Sequence, residues 1–327
     1  MTADPSQLSP QTWSNVIVMA DKIILGTRGS ELALTQARLV AEALQERWAD
    51  VQVEIKVIRT SGDQEVHAMT ALPAGRKGLF TAEIERVLVA GDIHLAVHSA
   101  KDLPSEINPG THIAAVLPRG PVEDVLLSPV PHDLQSLPVD GIVATGSVRR
   151  QHQIHWKRPD LEVVDLRGNV PTRLRKLANS EWHAIVLAAA GIERLAATRE
   201  DGTVMYEQHR FFAKSLPLEV FLPAGGQGVI AIQIRTGDDR MRLLLEAIND
   251  FDTRLCLRAE REFLRLLHGD CNQPVGVLAT VDGAVMKMRA QVFDIGATTP
   301  HESAVEGASE EAEALATRLF ASIHANS

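Results

Sequence analysis

Hydrophobic and polar positions alternate between two periods along the first two thirds of the chain. Short apolar runs such as "KIILGT" and "IHLAVHS" are typical of buried strands. Between them, "SELALTQARLVAEALQERW" spaces its apolar residues as on one face of a helix. The alternation restarts at "GIVATGS" and continues to "AIVLAAAG", with helical stretches between the strands. Repeated strand–helix units of this kind predict two α/β units with mostly parallel sheets.

The last third of the chain has a different pattern. The segment "FDTRLCLRAEREFLRLLH" has helical spacing, and it is followed by the strand-like runs "VGVLATVDG" and "AVMKMRAQVFD". These two runs meet at an Asp-Gly pair, which is typical of a tight hairpin turn. An amphipathic helix is predicted for about residues 309–323. The pattern therefore predicts a small α+β domain at the C-terminus.

Length and charge narrow the class of protein. A chain of 327 residues is long enough for two or three domains with buried cores. Its net charge of −9 argues against nucleic-acid binding, and no apolar run reaches the roughly 20 residues of a membrane-spanning helix. The first 20 residues contain no Lys or Arg, unlike a secretory or transit signal. We interpret residues 1–19 as a flexible leader of a cytoplasmic protein.

Arginine side chains follow several of the predicted strands, at the points where those strands end. Ligands of parallel sheets bind beyond the carboxyl ends of the strands, and guanidinium groups bind carboxylate or phosphate bidentately. The strand-end arginines are therefore candidates for binding an anion, with a solvated helix face as the alternative. That alternative is preferred for Lys157, Arg158, Arg175 and Lys176. The candidates are Arg28 and Ser30 in "GTRGS", Ser147, Arg149 and Arg150 in "GSVRR", and Arg167 and Arg173 in "LRGNVPTR".

A lysine and an aspartate follow directly on one of the apolar strands, in "HSAKDLP". Their side chains are expected to project from the end of that strand. An aspartate held between cations remains ionised and stabilises positive charge that develops during a reaction. The alternative is a local surface pair of Lys101 with Asp102, next to a turn at Pro104.

The two cysteines have different settings. Cys256 lies within a helical pattern, where an inert buried thiol is expected. Cys271 lies in the turn-rich segment "HGDCNQPVG", and both a functional and a structural role remain open for it. His268 precedes it by three residues, but no orienting partner for a thiol–imidazole pair is evident. The twelve histidines show no spacing typical of a metal site, so no metal is expected.

A set of motifs in a fixed order gives a more specific indication. They are "GTRGSELALTQA", "GLF", "LAVHSAKDLP", "GSVRRQ", "LRGNVPTRLRKL", "AIVLAAAGIERL", "LPAGGQG" and "CNQPVG". Together they closely resemble the porphobilinogen deaminase family, also called hydroxymethylbilane synthases, from about residue 22 to the C-terminus. Each motif alone is weak evidence, but their order and spacing make a chance match very improbable.

The resemblance implies a transferase of tetrapyrrole biosynthesis. Members of the family join four porphobilinogen molecules head to tail, with loss of ammonia at each step, into the linear tetrapyrrole hydroxymethylbilane. The chain is primed on a dipyrromethane cofactor, which the resemblance attaches to Cys271 through a thioether. Each pyrrole carries an acetate and a propionate, so the growing product is a polyanion. A row of arginines in an acidic protein is consistent with such a ligand.

The resemblance also implies roles for individual residues. It assigns catalysis to Asp102 with Lys101 beside it, through a carboxylate near the pyrrole nitrogens. The cofactor-binding set is Cys271, Lys101, Asp102, Thr145, Ser147, Arg149, Arg150 and Arg173. The substrate-binding set is Arg28, Ser30, Lys77, Arg167, Arg173, Arg194 and Gln227, of which Arg194 and Gln227 come from the resemblance alone.

The architecture implied by the resemblance has three domains. Two periplasmic-binding-protein-like α/β domains lie around a cleft, and a small α+β C-terminal domain carries the cysteine loop. The expected bounds are 20–117 with a return segment at 229–246, then 122–222, and finally 250–327. The resemblance further implies a monomer.

The sequence departs from the family pattern at several positions. Arg76 and Gly146 stand where the family often has glycine and serine, and Asp270 and Gln273 flank the cysteine that anchors the cofactor. A carboxylate at position 270 is expected to slow cofactor attachment by repelling pyrrole carboxylates. None of these departures removes a named catalytic residue. The alternative function is a two-lobed, non-catalytic receptor or sensor module for anions, which would have no use for a loop thiol.

Overall fold

The protein is described here by a computed structural model that covers residues 22–59, 81–195, 197–198, 202–267, 274–294 and 296–325. The described residues form two compact units. The first unit holds those up to Pro118 together with Val229–Arg254, and the second holds Arg119–Gly228 and those from Leu255 onward. Within the described residues, no helix is long and apolar enough to cross a membrane.

The strands and helices follow the predicted alternation through most of the chain. The strands are β1 (Ile23–Thr27), β2 (Val53–Val57), β3 (Leu95–Ser99), β4 (Thr111–Val116), β5 (Asp124–Ser128), β6 (Ile142–Ala144), β7 (Glu162–Val164), β8 (Ala184–Ala188), β9 (Ala197–Thr198), β10 (Thr203–Tyr206), β11 (His209–Ser215), β12 (Ile230–Arg235), β13 (Val275–Asp282), β14 (Val285–Val292) and β15 (His301–Ala308). The helices are α1 (Glu31–Arg47), α2 (Ala82–Val89), α3 (Val148–Lys157), α4 (Val170–Ala178), α5 (Ala189–Leu195), α6 (Asp239–Glu246), α7 (Phe251–Leu266) and α8 (Ala312–Ala325).

The first unit is built on a sheet with the strand order β2-β1-β3-β12-β4. Strands β1, β2 and β3 are parallel, whereas β12 runs antiparallel between β3 and β4. Helix α1 covers one face, and its Leu44 packs with Leu25, Leu95 and Ile232 in a fully buried core. Burial of four such side chains contributes roughly 1.5–3 kcal/mol each, which is why these apolar runs form the centre of the sheet.

The second unit contains a longer sheet with the order β7-β6-β8-β5-β11-β10-β9. Strands β6, β7 and β8 are parallel, and β5, β11, β10 and β9 continue the sheet in antiparallel pairs. Helices α3 and α4 begin with side-chain caps from Ser147 and Asn169, which accept hydrogen bonds from backbone N–H groups of their first turns. Pro171 lies in the first turn of α4, as predicted.

The C-terminal part of the second unit is a meander of β13, β14 and β15. Helices α7 and α8 supply Phe263, Leu315 and Leu319 to a core that also contains Met286 and Met288 of β14. The predicted Asp-Gly turn joins β13 to β14, and its glycine has a positive φ of 58° that favours this residue type. The small α+β arrangement predicted for this region is confirmed.

The predicted fold class is therefore confirmed, with two sheet-rich α/β domains and a small C-terminal domain, and one expectation needs correction. Both large sheets are mixed rather than mostly parallel, because β12 and the strands from β5 onward join them in antiparallel pairs. Strand β15 was not predicted from sequence; its residues alternate between half-buried and exposed along "HESAVEGA". The alternation is hard to recognise in the sequence because Val305 is the only large apolar residue among the four half-buried ones.

Candidate active site

Lys101 and Asp102 lie in a short 3₁₀ turn, Ala100–Asp102, directly after β3. The backbone N–H of Ala100 donates to the carbonyl of Val229 at 3.0 Å, and that of Leu103 donates to Ala100 at 3.2 Å. Ala100 and Leu103 are buried, whereas the Asp102 side chain is exposed. The turn is thus anchored by its apolar members and presents the carboxylate to solvent.

Arg28 and Ser30 follow the neighbouring strand β1, which runs parallel to β3. Leu25 pairs with Leu95 in this register, so the carboxyl ends of both strands lie at the same edge of the sheet. The Ser30 hydroxyl accepts a hydrogen bond from the N–H of Ala33 at 3.3 Å and thereby caps α1. The structure therefore brings to one edge the four predicted residues of the first unit that it describes, Arg28, Ser30, Lys101 and Asp102.

A chain of hydrogen-bonded, buried polar side chains lies in the same sheet. It includes His98, which is separated from the turn by one residue of β3. His98 contacts Gln233 at 3.0 Å between Nε2 and Oε1, and the Gln233 amide donates to Glu85 at 2.7 Å and Thr111 at 2.6 Å. Because both amide hydrogens of Gln233 are used, its oxygen faces the histidine, and His98 donates from Nε2. Burial lowers the pKa of His98 to about 4, although the Gln233 hydrogen bond and the charge of Asp102 oppose this. His98 is thus neutral at physiological pH.

In the second unit, Thr145 and Ser147 form the turn between β6 and α3. The Thr145 side chain is fully buried, and its hydroxyl accepts from the N–H of Ser147 at 3.3 Å. The Ser147 hydroxyl accepts in turn from the N–H of Arg150 at 3.5 Å as the cap of α3. Both predicted hydroxyls therefore shape the helix start that carries the paired arginines.

The paired arginines are almost completely buried and share one carboxylate. Nη1 of Arg149 lies 2.8 Å from Oδ2 of Asp124, and Nη2 of Arg150 lies 2.7 Å from Oδ1. Gln227 donates to the same Oδ1 at 2.9 Å. Burial alone would raise the pKa of Asp124, but the two guanidinium groups beside it hold that pKa well below its usual range. Asp124 is therefore ionised at neutral pH.

Counting these charges indicates what the cluster can bind. Two cations surround one anion, so Arg149, Arg150 and Asp124 together keep one net positive charge. Among the described residues, the buried Nε atoms of both arginines have no hydrogen-bond partner. A buried donor without an acceptor is costly, and a carboxylate group of a ligand would be an acceptor of the right charge. The donor set therefore fits a group that carries carboxylates.

Arg194 and Gln227 are placed behind this cluster. The Gln227 side chain is fully buried and also donates to the carbonyl of Val122 at 2.8 Å. Arg194 donates from Nη2 to the carbonyl of Gly228 at 2.7 Å. Both residues were predicted from the resemblance alone. Arg194 contacts Gly228 of the "LPAGGQG" segment, and Gln227 of that segment contacts Asp124, which pairs with both arginines.

Arg167 and Arg173 follow β7, the parallel neighbour of β6, and therefore lie at the same sheet edge as the paired arginines. Arg167 is exposed and pairs with Asp165 at 2.8 Å. Arg173 is half-buried and donates from Nε to the carbonyl of Gly168 at 2.7 Å. An exposed pair such as Arg167 with Asp165 contributes little to stability, so this arginine remains able to exchange its partner for a ligand.

Asp124, Arg119 and Glu260 were not given functional roles from sequence. Glu260 is fully buried and accepts from Arg119 at 2.7 and 3.1 Å, and from the N–H groups of Gly226 at 2.7 Å and Ala279 at 2.8 Å. Arg119 also donates to the carbonyl of Gln227 at 2.9 Å. This pair therefore holds the glycine-rich segment that carries Gln227. A charged residue beside an apolar run, as in "EDVLL", is the signal that could have indicated Asp124.

Gly146 is a departure from the family pattern with a clear local cause. A Cβ atom added to this residue would overlap the carbonyl oxygen of Leu166 in the neighbouring segment. Position 146 therefore requires glycine in this backbone arrangement, whatever stands at the corresponding position of other chains.

Several predicted residues lie outside the described parts of the chain. They are Lys77 and Cys271, the departures Arg76, Asp270 and Gln273, and His268 together with the leader segment 1–19. In the parts that are described, no group of three or more His, Cys, Asp or Glu side chains is placed to hold a metal ion.

Two family models match the chain. The model described as "Porphobilinogen deaminase, dipyromethane cofactor binding domain" matches residues 23–243. The model described as "Porphobilinogen deaminase, C-terminal domain" matches residues 254–325.

Curated relatives are similar over most of their length. A porphobilinogen deaminase of Moorella thermoacetica is 41% identical, covering 91% of this chain and 91% of the relative. That of Syntrophomonas wolfei is 42% identical over 91% of this chain and 94% of the relative, and that of Nitrobacter hamburgensis 43% over 89% of each. A solved BvgS VFT2 domain of Bordetella pertussis is 15% identical with a TM-score of 0.40, covering 73% of this chain and 91% of that chain, a likeness that supports no argument about function.

Proposed function

Because the chain belongs to the porphobilinogen deaminase family, we propose which of its residues carry out each part of the family's reaction. The activity is that of a transferase of tetrapyrrole biosynthesis, with porphobilinogen as substrate and dipyrromethane as cofactor. The match of both family models, which together span residues 23–243 and 254–325, carries this conclusion. The alternative of a non-catalytic receptor module is not favoured, because the curated relatives that match most of this chain are named as enzymes.

The first role is to hold the cofactor. The dipyrromethane, when bound, supplies a covalently held pyrrole with a free α-carbon to which the next unit is joined. We assign its attachment to the thiol of Cys271 and its carboxylates to Arg149, Arg150 and Arg173, with Thr145 and Ser147 shaping the turn. The net positive charge around Asp124 supports this assignment. Lys101 and Asp102 complete the proposed set.

The second role is to stabilise the departure of ammonia. Asp102 is exposed at the end of β3, where its carboxylate can contact the pyrrole N–H of porphobilinogen. Positive charge develops on the ring as the amine leaves, and a fixed carboxylate favours that charge. The same oxygen then accepts the proton that the new carbon–carbon bond displaces. Lys101, its neighbour, is assigned to the carboxylates of the incoming molecule.

The third role is to orient the substrate carboxylates. Arg28 and Ser30 share the sheet edge of Asp102, and Arg167 with Arg173 follows β7 in the second unit. Lys77 is assigned to the same role by its motif. Arg194 and Gln227 act at one remove, through Gly228 and Asp124.

The remaining expectations are carried as part of the same proposal. They are a cytoplasmic monomer without nucleic-acid or membrane partners, with domains at 20–117 plus 229–246, at 122–222 and at 250–327. Sedimentation of the purified chain at several concentrations measures the oligomeric state, and a mass that rises with concentration contradicts the monomer.

The experiment that tests the proposed function is the intact mass of the denatured, purified chain after incubation with porphobilinogen. We expect a mass increment of two linked pyrroles in the wild type and in Cys256→Ser, because Cys256 is buried within α7. The increment should be absent in Cys271→Ser, and hydroxymethylbilane should form only where the increment is present. A wild-type chain that stays at its bare mass would overturn the proposal in favour of the receptor alternative.

A further inference from the structure

A chain of buried amide side chains leads from α3 to the C-terminal sheet. Nη1 of Arg149 donates to Oε1 of Gln153 at 2.8 Å, one helical turn further along α3. Nε2 of Gln153 donates to Oε1 of Gln291 on β14 at 2.8 Å, across 138 residues of sequence. Nε2 of Gln291 then donates to Oε1 of Glu302 on β15 at 2.8 Å. An arginine proposed to bind the cofactor is thus connected to the domain that carries Cys271.

The direction of every link in this chain is determined by chemistry. A guanidinium group can only donate, so the oxygen of Gln153 must face Arg149. Both hydrogens of the Gln153 amide are then used, one for Gln291 and one for the carbonyl of Leu222 at 2.9 Å. The oxygen of Gln291 must accept, and its nitrogen faces the carboxylate of Glu302. A cation at one end and an anion at the other polarise all links in the same sense.

Burial makes the chain sensitive to the loss of any member. The side chains of Gln153 and Gln291 are fully buried, and Arg149 is only 5% exposed. Removal of one amide would leave a buried donor or acceptor without its partner, which is energetically costly. A second contact lies next to this link, since the ring of Phe293, directly after β14, lies 5.4 Å from that of His152 and 6.2 Å from that of Trp156 on α3.

The orientation of Arg149 is the property that this chain determines. Its Nη1 is surrounded by Oδ2 of Asp124, Oε1 of Gln153 and the carbonyl of Leu222, each at 2.8 Å. This anchoring of one nitrogen turns the remainder of the planar guanidinium in a single direction. Loss of the Gln153 acceptor would leave Asp124 and a backbone carbonyl to hold a group that can then rotate between them.

We infer that Gln153 and Gln291 are positioning residues, which hold Arg149 in the orientation needed to bind a carboxylate of the cofactor. The inference rests on the proposed function, and it deepens the role of the C-terminal domain. That domain supplies the covalent anchor and, through Gln291, also orients a charged group of α3. Neither glutamine is expected to touch the cofactor or the substrate.

A double-mutant cycle tests the inference. Each of Gln291→Leu and Arg149→Lys is expected to lower the rate of product formation by about tenfold, as for the loss of one buried hydrogen bond. If Gln291 acts through Arg149, the double variant should be no slower than Arg149→Lys alone. The second readout is cofactor attachment in chains produced without porphobilinogen. After a fixed incubation with this substrate, the fraction that carries the two-pyrrole mass increment should fall in the same non-additive way.

Two controls separate positioning from stability. Met288→Ala creates a cavity on the same strand as Gln291 but leaves the amide chain intact, so it should lower stability without changing either readout. Gln291→Glu places two carboxylates face to face at Glu302, and the added change Glu302→Gln restores a donor–acceptor pair. The double variant Gln291→Glu with Glu302→Gln should recover most of the activity that Gln291→Glu loses.

The outcomes distinguish the inference from the proposed function. Multiplied losses in the cycle, an equal loss in Met288→Ala, or no recovery in the exchanged pair would overturn the positioning role while the wild type remains active. A wild-type chain that forms neither the mass increment nor product would overturn the proposed function and this inference together.

Discussion

The two α/β sheets begin alike and end differently. In the first, β1 lies between β2 and β3, and in the second β6 lies between β7 and β8, all in parallel. A histidine precedes the third strand of each set. Nδ1 of His94 accepts from the N–H of Ile24 at 2.9 Å, and Nδ1 of His183 accepts from that of Ile142 at 3.0 Å. Equivalent side chains thus complete the hydrogen bonding at the start of both sheets.

The ends of the third strands show the difference. After β3 the chain makes a 3₁₀ turn that presents Lys101 and Asp102, whereas after β8 it continues into α5 with Ala190 and Ile192 buried. The second sheet places its charges elsewhere, with Asp124 buried beneath the start of α3. The first unit therefore has an exposed carboxylate at the end of its third strand, whereas the second has a buried carboxylate that pairs with two arginines.

Replacement of the exposed acid should have the largest effect on the reaction. Asp102→Asn removes the negative charge that we propose to stabilise the loss of ammonia, and on that proposal product formation should fall by about 10²–10⁴-fold. The free energy of unfolding should change by no more than about 0.5 kcal/mol, because the side chain is exposed. Steady-state assays and urea unfolding of the same preparation measure both quantities. Product formation within a few-fold of wild type would remove Asp102 from the mechanism.

Replacement of the buried acid should affect stability most. Asp124→Ala leaves Arg149 and Arg150 buried without their shared carboxylate, and we expect a loss of about 3–5 kcal/mol in the free energy of unfolding. Asp165→Ala is the matched control, because it breaks the exposed pair with Arg167 and should cost at most about 1 kcal/mol. Equal losses in the two variants, measured by urea unfolding, would show that the buried cluster contributes no more to stability than an exposed ion pair.

The buried histidine of the first unit predicts a dependence of stability on pH. The pKa of His98 is lowered to about 4 by burial, whereas the unfolded chain titrates near 6.5. Between these values the unfolded chain binds a proton that the folded chain does not, so stability falls as pH falls from 6.5 towards 4 and is retained above 6.5. The loss amounts to about 3 kcal/mol across this window.

The variant His98→Gln should reduce this pH dependence. It has no proton to gain, so its free energy of unfolding should fall less than that of the wild type between pH 6.5 and 4.5. Carboxylates titrate in both chains, and the difference between them isolates the histidine. If the free energy of unfolding depends on pH equally in both chains, His98 is protonated in the folded protein as readily as in the unfolded chain.

The smallest expected effect concerns Gly146 in the turn before α3. Gly146→Ala and Gly146→Ser both place a Cβ against the carbonyl oxygen of Leu166, and we expect each to lose about 1–3 kcal/mol of stability. The hydroxyl should not help, since the overlap arises at Cβ. Thermal unfolding measures the loss. A serine variant as stable as the wild type would show that the backbone around Leu166 shifts to make room for the Cβ without loss of stability.

Local features of this protein were predictable from sequence because short-range physics determines them. Apolar periodicity predicted the strands and helices around "KIILGT" and "GIVATGS". The predicted strand ends placed Arg28 and Asp102 at turns and Arg149 at the start of a helix. The Asp-Gly pair predicted its hairpin. The motifs, taken in order, also carried the family and hence the reaction. Each of these signals lies within about ten residues of chain, where backbone preferences and burial of one face act directly.

Only the tertiary structure decided which charges meet. Asp124 lies 25 residues before Arg149 and 103 before Gln227, and strand pairing rather than spacing brings these three together. The antiparallel insertion of β12 and the 138-residue link from Gln153 to Gln291 are equally invisible in a linear pattern. The physical reason is that a buried polar group must find its partner wherever the sheets place one. Sequence shows that such a group exists, and packing determines which partner it has.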